Sequence, residues 1–258
     1  MKNFDNNVFA FIANGARVEV HYHHCLQIVV SLDNPYDCII HGNSIKNNMG
    51  FLINQTIKHS CKAPQSQVLV IKVNAASTLG VHLKNYLDGT PFIELSKIFP
   101  LSYFQSIFPL APDKLNNEHL QKGTNLFLEK LLIECGQSYN WVMQKQKDER
   151  ITAALHYINA NIDLPLTLQH IADVMHLSKD RARHFFIEHL RSPFLQYVLW
   201  LRIRKILDAV MHQNINLATA CVQFGFIDQS HFTRTFRRLY GVPPAAMLKH
   251  SRFIQIAT

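Results

Sequence analysis

The sequence predicts an α+β chain of two domains. An antiparallel β-barrel or sandwich with accompanying helices comes first, then an all-α domain of two helix–turn–helix units joined by a long helix. Three observations carry this. The hydrophobic period is near two in the first third of the chain and near 3.6 in the last. The basic residues change from Lys to Arg near position 148, and a residue pattern in the last hundred positions recurs after about fifty.

The bulk composition fits a folded chain. Of 258 residues, 48% are hydrophobic and 17% charged, enough apolar material for real cores and against disorder or a coiled coil. No apolar run approaches the roughly 18 residues that span a bilayer, and MKNFDNNVFAF lacks the layout of a signal peptide. No membrane association and a cytoplasmic location are therefore expected. The cysteines (Cys25, Cys38, Cys61, Cys135, Cys221) are odd in number, scattered and without a CxxC pair, which disfavours a disulfide framework or zinc ribbon.

Five runs read as strands: Arg17–His23, Leu26–Leu32, Asp37–Gly42, Gly50–Asn54 and Val68–Val73. Turn material such as Asp33-Asn34-Pro35 and His41-Gly42-Asn43 separates them. Pro91, Pro100, Pro109 and Pro112 break the next stretch into loops and short helices. Leu120–Lys147 then carries apolar residues at helical spacing (Leu126, Leu128, Leu131, Leu132, Trp141, Val142), and Gln144–Arg150 is a polar linker. The expected division is 1–115, a helical segment 116–147, and 148–258.

Charge divides the chain at the same place. Residues 1–147 hold 12 Lys and one Arg against 10 acids, a net of +3; residues 148–258 hold 3 Lys and 10 Arg against 8 acids, a net of +5. The planar Arg fork grips phosphates and guanine edges at two points, where Lys is a hydrated point charge. Compositional drift would also produce such a change, so the structural context of the Arg residues has to decide.

From Ile151 onward nothing resembles a sheet. Ile151–Asn161 is helical, and Thr167 is an N-cap candidate for the next helix. Ala182, Phe186, Leu190 and Pro193 recur fifty positions later as Phe232, Phe236, Tyr240 and Pro243; Ala172 and Leu177 recur after forty-nine as Cys221 and Phe226. Two helix–turn–helix units, at about 166–187 and 215–238, with a bridging helix Pro193–His212, are the simplest reading. In the first, Leu168, Ile171 and Ala172 pack, the chain turns at Met175-His176-Leu177, and Ser178 caps a helix whose Ala182, Phe185 and Phe186 face inward. In the second, Ala218, Cys221 and Val222 pack, Gly225 takes the turn and Asp228 caps. The outward residues of the two second helices are basic or amide-bearing, which suits base edges and phosphates of a major groove. Two such helices roughly 34 Å apart would let one chain read successive grooves. A helical bundle with a solvated basic face would explain the outward charge alone, but neither the repeat nor the matching caps.

These residues resemble the AraC/XylS family of bacterial transcription regulators over about 150–248. Phe224–Leu248 (FGFIDQSHFTRTFRRLYGVPPAAML) follows the family signature of a GF pair, a polar cap, SxF, RxF and GxxP; Leu166–Phe186, Ser192–Tyr197 and Arg202 match more loosely. The resemblance implies base contacts by Asp180, Arg183 and His184 in the first unit and by Gln229, Ser230, His231 and Arg234 in the second. Lys179, Arg181, Arg237 and Arg238 fall to phosphates, which supply affinity and salt dependence. Three positions depart from the family. Arg191 stands where Gly is usual, and Cys221 replaces a common Ala as a packing residue. His184 stands at a frequent Arg, so contact there would weaken as pH rises.

The resemblance also implies a cupin-like barrel at the N-terminus, acting as a sensor or dimerisation module. His21-x-His23, then Gln27, then His59 at the end of a later strand, has cupin metal-ligand spacing, with alternate residues of one strand facing one side. A divalent metal on His21, His23, Gln27 and His59, a small organic effector in the barrel, or no ligand at all stay open. His24, Cys25 and Cys61 lie close by as bystanders. The helical segment is a candidate for homodimerisation or for packing within one chain. The function implied is a sequence-specific regulator of double-stranded DNA, an activator that would engage RNA polymerase, with no required cofactor and no catalytic residues. The alternative, a metal-dependent cupin-type enzyme with a helical appendage, leaves the duplicated units unexplained.

Overall fold

A continuous apolar run beginning at Val8 makes the first strand, β1 (Val8–His21), longer than the Arg17–His23 run. It leads into an antiparallel sheet with β2 (Leu26–Ser31), β3 (Tyr36–Ile40), β4 (Asn43–Asn48), β5 (Gly50–Ile53), β6 (His59–Val73), β7 (Phe92–Glu94) and β8 (Ser251–Ile256). The computed structural model describes residues 8–75, 77–108, 116–136, 148–190 and 192–256. They fall into two units: residues up to 140 together with 236 onward, and residues 141–235.

In the first unit the sheet wraps into a nearly closed barrel around β6, which is long enough to pair with β1, β2 and β3 at once. Strand order is β4-β3-β6-β2-β5-β7, with β1 against β6 and β8 against β1. Phe9, Ile12, Leu26, Ile28, Ile40, Phe51 and Leu52 fill the interior and are at most 1% exposed. Three strands depart from the sequence reading. β4 is a polar edge strand that has no apolar alternation to betray it. β7 lies in the proline-broken stretch, and β8 adds a strand where only helix was expected. The unit also carries α1 (Thr78–Leu87), α2 (Leu101–Ile107) and α3 (Asn117–Glu134).

Helix α3 ends at Glu134, capped at Cys135, and Gly136 follows with φ +75°. The expected continuous helix over Leu120–Lys147 therefore stops early at a left-handed glycine; Trp141 and Val142 lie outside the described residues. Leu120, Phe127, Leu128, Leu131 and Leu132 are buried, leaving Leu126 and Ile133 as its exposed large apolar residues.

The second unit opens with α4 (Glu149–Ala160) and continues through α5 (Leu168–Val174), α6 (Lys179–Leu190), α7 (Phe194–His212) and α8 (Leu217–Gln223) into α9 (Gln229–Tyr240). The last turns of α9 and the following α10 (Pro244–His250) belong to the first unit. Ala172, Ala182, Phe186, Cys221 and Phe232, all positions of the internal repeat, are fully buried, as are Ile203, Ile206 and Leu207 of the bridging α7. In α8 Ala220 packs beside Cys221, whereas Ala218 and Val222 turn outward, Val222 being 62% exposed. The short α8 has room inward for one pair of small residues, and the sequence assigned the neighbouring turn positions to that face. Arg191 lies outside the described residues.

Candidate DNA-reading helices and barrel cavity

The two second helices begin alike. Ser178 Oγ accepts the backbone N–H of Arg181 at 3.3 Å, and an Asp228 carboxylate oxygen accepts that of His231 at 2.6 Å, so each start is fixed by a side-chain cap. The turns before them are also the same. Leu177 N–H reaches the Ala172 carbonyl and Phe226 N–H the Cys221 carbonyl, both at 2.9 Å, closing the first helix of each unit. His176 (φ 54°) and Gly225 (φ 77°) take the left-handed position.

With the helices so placed, Lys179, Asp180, Arg181, Arg183 and His184 all point to solvent on α6. Arg183 lies 3.6 Å from Asp180, a loose and exposed pairing that leaves the guanidinium available. On α9, Gln229, Ser230, Arg234, Arg237 and Arg238 are exposed. His231 differs: it is half-buried, with its ring 5.2 Å from that of Phe226, so it is less presented than its neighbours. Within the first unit, Arg237 donates from Nε to the Glu19 carboxylate at 3.1 Å and from Nη2 to its other oxygen, which holds the Glu19 carboxyl below its ordinary range. One feature escaped the sequence, and another, Arg202, was matched there by pattern without a role. Ile227, between α8 and α9, is 81% exposed. Arg202 of α7 donates to the carbonyls of Ile162, Gly225 and Leu164.

The barrel places the other candidate residues by register. His21, the last residue of β1, pairs directly with His59, which begins β6 and does not end it. Gln27 of β2 pairs with Lys72 of β6. His23 lies past the end of β1, so the expected alternation of His21 and His23 along one strand gives way to a bend that swings His23 inward. All four residues are buried, and the donor atoms of the three imidazoles lie within 4.8 Å of one another. Gln27 lies between two of them, its Oε1 2.9 Å from His23 Nε2 and its Nε2 donating to His59 Nε2 at 3.2 Å. Burial lowers all three imidazole pKa values, that of His21 to about 2 and that of His59 to about 4, so the cluster is neutral.

His21, Gln27 and His59 form one wall of a cavity of about 330 Å³, whose remaining surface is largely apolar, including Phe11, Val29, Val70 and Met247. Lys72 faces the same space. It is 2% exposed, and its Nζ has no hydrogen-bond acceptor among the described residues; it sits 4.5 Å above the ring of Tyr240. Burial pulls its pKa down to about 8. A lone Lys inside the apolar run VLVIKV was the available signal for it. Cys25 and Cys61, read as bystanders, are close: Cys25 Sγ is 3.1 Å from His23 Nδ1, and Cys61 lines the cavity.

A chain that carries both a capped, duplicated helix–turn–helix pair and a barrel with a ligand-sized cavity has the parts of a helix–turn–helix regulator. A family described as helix-turn-helix domain matches residues 171–250. The probable transcriptional regulator LumQ of Photobacterium leiognathi is 24% identical over 245 residues, 87% of this chain and 89% of its own. The arabinose operon regulatory protein of Escherichia coli is 28% identical over 123 residues, covering 46% of this chain and 41% of its own. Two further curated relatives are spanned over only 31% and 29% of their lengths. Among solved structures, ToxT of Vibrio cholerae bound to an unsaturated fatty acid superposes with a TM-score of 0.55 at 13% identity, over 98% of each chain, and so shares the fold. Together these likenesses support a helix-turn-helix transcription regulator of the AraC/XylS type.

Proposed function

We propose that the protein is a sequence-specific activator of transcription that reads double-stranded DNA with α6 and α9. The observation that carries this is the pair of side-chain-capped helices presenting Arg and amide residues outward from matching buried repeats. Asp180, Arg183 and His184 on α6, and Gln229, Ser230, His231 and Arg234 on α9, are assigned to base edges; Lys179, Arg181, Arg237 and Arg238 are assigned to phosphates. Activation implies contact with RNA polymerase in the cytoplasm. Among the described residues no helix is long and apolar enough to cross a membrane. Homodimerisation through α3 would use Leu126 and Ile133, since most of its apolar stripe is covered within its own unit.

The barrel is assigned a small organic effector with an apolar body and a carboxylate. The apolar cavity suits the body, and buried Lys72, whose Nζ has no acceptor among the described residues, supplies a counter-charge within it, with exposed Arg17 also on the wall. The fatty acid bound by ToxT, which has the same fold, is of this chemical kind. The test of the DNA reading is footprinting on genomic fragments selected by the purified chain. A protected site spanning two adjacent major grooves is expected; equal affinity for random duplexes would overturn the reading. For the effector, octanoate binding that is lost in Lys72→Met is expected, and unaltered binding in that variant would reject the assignment.

A further inference from the structure

The hydrogen bonds around the histidine cluster do not close with the hydrogens available. His21 Nδ1 lies 3.0 Å from the Glu19 carbonyl oxygen, His59 Nδ1 2.8 Å from that of Ile57, and His23 Nδ1 3.0 Å from that of Cys25. A carbonyl only accepts, so each Nδ1 must carry the hydrogen, and a neutral imidazole has one. Each Nε2 is then a bare lone pair, and one ring nitrogen of each imidazole lies within 4.8 Å of one on each of the other two. The Gln27 amide can satisfy only one of them. With its NH₂ on His59 Nε2, its Oε1 stands 2.9 Å from the lone pair of His23. Flipping the amide moves the same opposition to His59.

Neither remaining protonation scheme helps. Moving the His23 hydrogen to Nε2, with the Cys25 thiol donating to Nδ1, sets that Nδ1 lone pair against the Cys25 carbonyl at 3.0 Å. An added proton would leave an imidazolium buried beside the Lys72 ammonium. What satisfies every group at once is a cation with several acceptor positions, placed among the lone pairs.

We propose that His21, His23 and His59, with the Gln27 side-chain oxygen, form a binding site for one divalent first-row transition-metal ion. Three neutral imidazoles and an amide oxygen suit Zn²⁺, Co²⁺, Ni²⁺ or Fe²⁺ and disfavour Ca²⁺ or Mg²⁺, which take oxygen ligands. The three Nδ1–H···O=C bonds are the outer contacts that orient metal-binding imidazoles and fix their tautomer. The rings are set close, with centroids 4.3 Å apart for His21 and His59, 5.1 Å for His23 and His59, and 5.5 Å for His21 and His23. With His21, Gln27 and His59 lining the cavity beside Lys72, the site is open on that side, and the excess positive charge draws an anion there. The site is independent of the DNA assignment.

The test is titration of the chelator-treated full chain with Co²⁺, followed by visible absorption. One saturable equivalent with the d–d bands of a nitrogen-rich site, displaced by Zn²⁺, is expected. His21→Ala and His59→Ala should each weaken it by about tenfold or more. Gln27→Glu keeps the side-chain shape and adds a negative charge at the ion, so it should tighten binding by about tenfold. No saturable equivalent in the wild type, or the same affinity in both His variants, would overturn the proposal. If circular dichroism shows the His variants unfolded, Gln27→Glu decides, and unchanged or weaker Co²⁺ affinity there refutes it.

Discussion

Arg202 donates from Nη1 to the carbonyl of Gly225 at 3.0 Å, and the same guanidinium reaches the carbonyls of Ile162 and Leu164 at 3.0 and 2.7 Å. One side chain of the bridging helix thus ties the turn of the second helix–turn–helix unit to the segment that precedes the first. The three bonds leave from three different nitrogens of the planar fork, a fixed spread that one compact Lys ammonium on a flexible stem does not reproduce. Arg202→Lys should lower stability by about 2–3 kcal/mol, read by urea unfolding. A loss below about 0.5 kcal/mol would mean that the three bonds are incidental to the stability of the turn.

The turn itself makes a paired prediction. At Gly225, φ is +77° and an added Cβ would lie 2.5 Å from Arg202 Cζ, so Gly225→Ala should cost at least about 1–3 kcal/mol from backbone strain and displacement of the brace. At the corresponding place in the first unit stands His176, exposed and at φ 54°. His176→Gly relieves that strain against a larger unfolded-state entropy, and should be neutral to about 1 kcal/mol stabilising. A destabilising Gly225→Ala with a neutral or stabilising His176→Gly in thermal unfolding is the expected result; destabilisation by both would contradict the equivalence of the turns.

Lys72 gives the pH dependence. Its pKa falls from 10.5 to about 8 because it is desolvated, with His21, His23 and His59 facing it from one side, Cys25 near it and the Tyr240 ring beneath. Between pH 8 and 10.5 the unfolded chain therefore binds more protons than the folded one. Stability from this group rises with pH across that window, and below pH 8 its cost is present in full, about 3 kcal/mol. Lys72→Met should thus stabilise the effector-free protein at pH 7 by about 1–3 kcal/mol, with the advantage shrinking toward pH 10. Unfolding curves of both proteins at several pH values check this; a difference that does not change with pH would show that Lys72 is solvated.

The contrast between Lys72 and the reading helices shows which parts of the fold were legible in sequence. Caps such as Thr167, Ser178 and Asp228 act within four residues of themselves, and the repeated Ala, Phe and Pro positions signal burial through side-chain type alone; these were read directly. Pairings between distant segments were not. β8 meets β1 across more than two hundred residues, and β4 is held by its neighbour rather than by an apolar face. Gln27 and His59 were legible as spacing, but their register against Lys72 and His21 comes from β6 pairing with three strands. Arg202 matched the family pattern, yet its role depends on turns twenty-three and forty positions away.

The sharpest test of the DNA assignment lies within α9. Arg234 and Arg238 are both exposed on this helix, one turn apart, and carry the same charge. Coulomb attraction to a duplex would treat them alike. Assignment of Arg234 to a base edge and Arg238 to a phosphate separates them. Arg234→Ala should cost about 1–3 kcal/mol on a selected site and broaden the base preference at one position, with little change on random DNA. Arg238→Ala should weaken selected and random duplexes by similar factors and reduce the salt slope of log K by about one. Fluorescence anisotropy at three or more salt concentrations, on a selected and a scrambled duplex, measures both quantities. If Arg234→Ala weakens the two duplexes equally, Arg234 touches phosphate, and the base-reading role assigned to the exposed face of α9 is wrong at its central residue.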